Sequence, residues 1–65
     1  MKVTVNKVSL EVAQGARLSD VVLQVMPTPP FAVAVNMQFV PKSAYASTAL
    51  CKGDSIEVIR PVTGG

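Results

Sequence analysis

Hydrophobic and polar residues alternate from the start of the chain. Val3 and Val5 share one phase, with Lys2, Thr4 and Asn6 in the other. After Asn6-Lys7 the alternation resumes, setting Val8, Leu10 and Val12 against Lys7, Ser9 and Glu11. Period-two patterning marks a half-buried strand, and asparagine supplies turn chemistry between two such runs. The opening stretch is therefore predicted to be a β-hairpin, closed by Gln14-Gly15.

The period then changes. Leu18, Val21, Val22 and Val25 follow the i, i+3, i+4, i+7 spacing of one helix face. Ser19 is the expected N-cap, and Asp20 in the first turn suits the positive end of the helix dipole. Pro27, Pro29 and Pro30 bar continuation beyond about Met26. The helix is short, and its valines make it dependent on packing against a sheet.

Phe31 to Val35 is a continuous apolar run, as in a strand covered on both faces or at least central. Asn36-Met37 predicts a tight turn into a brief strand, Gln38 to Val40, which Pro41 stops. Lys42 to Leu50 has no clear period and reads as a loop with one helical turn. Lys52-Gly53-Asp54 is a turn signal, and Ser55 to Arg60 alternates again with Ile56 and Val58 in phase. Arg60 precedes Pro61, which biases it toward extended backbone. The order is two strands, a helix, two strands, a loop and a last strand. That order predicts an α+β domain: a mixed sheet of about five strands packed on one helix, with the first and last strands parallel. The expected division is a domain over 1–61 and a flexible tail over 62–65.

Composition narrows the function classes. The chain has 65 residues, 49% of them hydrophobic and 15% charged, so it folds as one small domain with a thin core. The net charge of +2 is spread over six separated basic residues, which argues against a nucleic-acid surface. No histidine and a single cysteine, Cys51, exclude an internal disulfide, a Cys-His nucleophile pair and a cysteine zinc site. No metal and no resident cofactor are expected. A lone reduced thiol fits the cytoplasm, and the N-terminal pattern lacks a signal peptide or a membrane span.

What remains is Gly64-Gly65. A carboxylate resists nucleophiles because it is anionic and has no good leaving group; conversion to an acyl adenylate by ATP removes both obstacles. Sulfur can then displace AMP and leave a thiocarboxylate. Glycine suits such a tail because it lacks a Cβ to collide with a narrow groove and reaches backbone angles other residues avoid. The four residues after Pro61 extend about 13 Å, enough to enter a partner's active site from outside. The bland alternative is a frayed terminus. Against it stands the short, rigid distance that Pro61 sets between the last strand and the glycines.

The stretch Ala34-Val35-Asn36-Met37-Gln38-Phe39-Val40-Pro41-Lys42-Ser43, the segment Lys52-Gly53-Asp54-Ser55-Ile56-Glu57-Val58 and the final Gly64-Gly65 resemble the ThiS family, the sulfur carriers of thiamine biosynthesis. The resemblance covers the whole chain in length and order; Tyr45 stands where that family often has tryptophan. It implies a ubiquitin-like β-grasp fold. It also implies that the chain is a co-substrate rather than an enzyme. On this resemblance the Gly65 carboxylate is expected to be adenylated by a ThiF-type adenylyltransferase using ATP, to take sulfur from a cysteine desulfurase or another donor, and to pass it to thiazole synthase. Thr63 and Gly64 are expected to thread the partner active site. Phe39, Ile59 and Val62 are the expected docking residues, since exposed apolar side chains beside a functional tail suggest a contact patch.

Three rival readings share parts of this pattern. The small subunit of molybdopterin synthase has the same chemistry at Gly65 with a different acceptor. A ubiquitin-like modifier offers the same tail to an amine. A non-catalytic binding module makes the glycines incidental.

Overall fold

The computed structural model describes residues 1–61. Strands β1 (Lys2–Val5) and β2 (Val8–Glu11) form the expected hairpin, followed by helix α1 (Leu18–Val25). Strands β3 (Ala32–Val35) and β4 (Gln38–Val40), a 3-10 turn over Lys42–Ser47, and β5 (Ser55–Ile59) complete the order. The sheet runs β2-β1-β5-β3-β4, so the last strand inserts at the centre. It lies parallel to β1 and antiparallel to β3. This is the ubiquitin-like β-grasp arrangement.

One face of the sheet and the helix enclose the core. Val3, Val5, Val33 and Ile56 meet Leu18 and Val21 from the helix, with Tyr45 and Leu50 closing one side. Tyr45 is therefore a core residue of the 3-10 turn. Val8 shares the inward phase but sits on the edge strand beyond the helix's cover, and is 67% exposed. Val25, at the opposite end of the helix stripe from Leu18, is likewise exposed. The amphipathic pattern identified the correct faces, whereas the helix is too short to cover all of them.

The helix begins differently from the sequence expectation. Ser19 lies inside α1, and the N-cap is Arg17. An isolated antiparallel bridge pairs Arg17 with Ala49, with Leu18 N–H donating to Thr48 C=O at 2.9 Å and Leu50 N–H to Ala16 C=O at 3.0 Å. That bridge holds the chain extended up to Leu18 and leaves no room for a cap at Ser19. Asp20 closes the start reciprocally, taking the Arg17 N–H on its carboxylate at 2.8 Å while its own N–H donates to Arg17 C=O at 3.0 Å. At the other end Met26 adopts a left-handed conformation and donates to Val22 C=O, and the prolines follow.

Candidate functional site

Strand β5 carries the chain from the centre of the sheet to Pro61, and both hairpin turns hold it. Each is a two-residue turn with positive φ at both positions: Asn6 (49°) and Lys7 (69°), then Asn36 (50°) and Met37 (69°). Positive φ at both central residues matches the right-handed twist of the flanking strands, and asparagine tolerates it well. In both turns the asparagine also reaches sideways onto β5. Asn6 N–H donates to Ile56 C=O at 2.9 Å. Its side-chain Oδ1 accepts the Val58 N–H at 2.8 Å, and Nδ2 donates to Val58 C=O at 3.4 Å.

Asn36 does the same at the start of the strand. Its N–H donates to Ser55 C=O at 2.7 Å, its Oδ1 accepts the Ser55 N–H at 3.0 Å, and Nδ2 donates to Asp54 Oδ1 at 3.0 Å. Asp54 Oδ2 takes the Cys51 N–H at 2.8 Å, which closes the Lys52-Gly53-Asp54 turn around Gly53 at φ 86°. A left-handed residue there favours glycine. The expected turn residues are thus also the residues that fix β5. The sequence signal for it was the Val-Asn pair ending two strands, Val5-Asn6 and Val35-Asn36. Nothing local pointed to the shared third strand.

The sheet face opposite the helix is the second part of the site. Residues directly opposite in a ladder project to the same face. Ala34 pairs with Phe39 on one side and Glu57 on the other, and Ala32 pairs with Ile59. The two alanines therefore floor a shallow strip between Phe39 and Ile59, edged by Glu57. Phe39 and Ile59 stand two strands apart and two residues out of level, roughly 12 Å at ordinary strand spacing and rise. Phe39 is 69% exposed and Ile59 52%. Ile59 is two residues before Pro61, so the apolar strip leads to the outlet of the domain.

Among the sequence-predicted site residues, Phe39 and Ile59 share this face. Val62, Thr63, Gly64 and Gly65 lie outside the described residues. Cys51 is exposed and sits before the first residue of β5, at the end of that strand away from Pro61. Among the described residues no group of three His, Cys, Asp or Glu side chains could hold a metal ion, and no helix is long and apolar enough to cross a membrane.

Comparison with known proteins adds four findings. The ThiS family model matches residues 2–65. The fold is similar to the crystal structure of a thiamine biosynthesis protein (ThiS) from Geobacter metallireducens, with a TM-score of 0.84 and 22% identity over the whole of both chains. It is also similar to the solution NMR structure of a thiamine biosynthesis protein from Geobacter metallireducens, at a TM-score of 0.77 and 20% identity over all of this chain and 88% of that one. No curated protein sequence matches.

Proposed function

From the premise that this chain belongs to the ThiS family, we propose that it is a protein-bound sulfur carrier of thiamine biosynthesis, acting through the carboxylate of Gly65. The observation that carries the reading is that the family match runs through Gly64-Gly65. The fold supports it, because central strand β5 leads to an exposed Pro61 with an apolar strip beside it.

The chemistry follows from the tail. A Gly65 carboxylate oxygen attacks the α-phosphorus of ATP and expels pyrophosphate, giving an acyl adenylate. A hydrosulfide attacks the carbonyl carbon and AMP leaves, so the product is a thiocarboxylate. With a persulfide donor the first product is an acyl disulfide, which a thiol then reduces to the same thiocarboxylate. The activating enzyme is of the ThiF type, the donor a cysteine desulfurase or an equivalent persulfide source, and the acceptor thiazole synthase. In this reading the chain is consumed and regenerated and holds no cofactor. It works in the cytoplasm, where Cys51 stays reduced. Thr63 and Gly64 thread the partner active site, while Phe39, Ile59 and Val62 face the partner.

Intact mass after incubation with a ThiF-type enzyme, ATP and a sulfur donor tests this. The expected gain is one sulfur in place of one oxygen, localised to Gly65 by fragmentation. An unchanged mass sinks the carrier reading, and amine-linked conjugates resistant to thiols indicate a modifier instead.

A further inference from the structure

We infer that Asn6 is a positioning residue for the tail: its side-chain amide, bonded to both the N–H and the C=O of Val58, steadies on the β1 side the end of β5 from which the tail departs. This rests on the reading that Gly65 is the residue activated.

Backbone pairing between β1 and β5 stops early. The last paired residues are Val5 and Ile56, and the last backbone bond runs from Asn6 N–H to Ile56 C=O. Beyond that point the first strand turns away through Asn6-Lys7, while β5 continues to Ile59. Val58 lies past the end of its neighbour. A primary amide carries the same donor and acceptor as a peptide group, so the Asn6 side chain adds one more rung to the ladder where the backbone has left. The Val58 N–H goes to Asn6 Oδ1 at 2.8 Å and the Val58 C=O accepts from Nδ2 at 3.4 Å. On the other side β3 pairs with β5 as far as Ile59, opposite Ala32. Both Val58 backbone groups face Asn6, and the Val33–Val58 pairing across β3 is one in which the backbone groups point away from each other; without Asn6 they have no partner strand.

The position of this rung gives it consequence. Gly65 is seven residues beyond Val58, an extended reach of about 23–25 Å. A partner that docks on the folded domain and receives Gly65 at a distant active site uses this length as a ruler. Loosening Val58 leaves the end of β5 held only by the Ala32–Ile59 pairing and widens the range of starting points. Binding that engages the docking surface and the tail together selects the fraction with the correct starting point, so the apparent KM rises by the reciprocal of that fraction while kcat at saturation stays. A residue that merely stabilised the fold would lower Tm and leave KM unchanged below the transition.

The test uses the full chain and two variants. Asn6→Gly keeps the left-handed turn and removes the amide; Asn6→Asp keeps an oxygen for the Val58 N–H and loses the donor. Amide hydrogen exchange at Val58 is read by NMR, and ATP–pyrophosphate exchange by a ThiF-type enzyme is read with the carrier as varied substrate. Expected for Asn6→Gly are Val58 exchange faster by about tenfold and a KM raised about three- to tenfold with kcat within about twofold. Asn6→Asp falls nearer the wild type in both. Unchanged Val58 exchange overturns the inference, as does faster exchange with a wild-type KM, or Asn6→Asp behaving no better than Asn6→Gly. If the wild-type chain itself is not activated, the carrier reading fails and the inference falls with it. A fully active wild type with an unaffected Asn6→Gly removes the inference alone.

Discussion

Asn36 and Asp54 are joined by a 3.0 Å hydrogen bond from Nδ2 to Oδ1, which ties the tip of the β3–β4 hairpin to the turn that launches β5. The same asparagine exchanges two further bonds with Ser55 through its backbone N–H and its Oδ1. Asp54 in turn holds the Cys51 N–H. A single pair therefore sets the start of the central strand from two directions.

Removing either member is expected to loosen that start. Asn36→Ala loses the side-chain bonds, each worth about 0.5–1.5 kcal/mol, and places alanine in a left-handed conformation costing about 1–2 kcal/mol. The expected destabilisation is about 2–5 kcal/mol. Asn36→Gly keeps the turn and is expected to cost roughly half as much. Denaturant unfolding of both, with Asp54→Ala and the double variant, gives the coupling between the two residues. A double variant whose loss is the plain sum of the singles contradicts the link.

The helix start supplies a second prediction. Asp20 accepts the Arg17 N–H, whereas Ser19 is an interior helix residue. Asp20→Ala is expected to cost about 1 kcal/mol, through the lost cap bond and the lost dipole interaction. Ser19→Ala is expected to stay within about 0.5 kcal/mol of the wild type, since alanine is the better helix former. Thermal melts separate the two, and the reverse order restores Ser19 as the cap.

That difference shows which parts of the fold were legible. The strand order, the helix face and the turns at Asn6-Lys7 and Asn36-Met37 follow from local periodicity and turn chemistry, which need only neighbouring residues. The cap was misplaced because Arg17 is held by Ala49, a partner the local sequence does not announce. The same applies to the site. Phase along β4 and β5 places Phe39 and Ile59 outward, and the pairing of Ala34 and Ala32 makes them one face. The hold of Asn6 on Val58 spans 52 residues, and no periodicity encodes a contact at that distance.

The exposed strip between Phe39 and Ile59 yields a third prediction. Both side chains are exposed and contribute little to the core. Ile59→Asp and Phe39→Asp are expected to change stability by less than about 1 kcal/mol. If the strip docks the activating enzyme, each raises the KM for the carrier by about tenfold or more, because a charge at the centre of an apolar contact loses burial and remains unpaired. ATP–pyrophosphate exchange against carrier concentration gives the value. Normal activation of both variants removes the strip from the interface.

The tail itself is tested by separating reach from reactivity. Deleting Gly65 is expected to abolish the sulfur-for-oxygen mass gain, because the carboxylate then sits one residue short, by about 3.5 Å, of the position the partner serves. Gly64→Val preserves length and carboxylate and adds a branched side chain where a narrow groove meets bare backbone. Its expected signature is a lower kcat with little change in KM, since docking through the sheet face is untouched while the reacting carboxylate is displaced. The core residues Val3, Leu18, Val21, Val33 and Ile56 all precede the tail, so both variants should melt with the wild type. Full activation of the Gly65 deletion would show that the reacting carboxylate does not belong to that residue. Were Gly64→Val to act at the wild-type rate, the path into the partner would be wide, and the side-chain-free end would need another explanation.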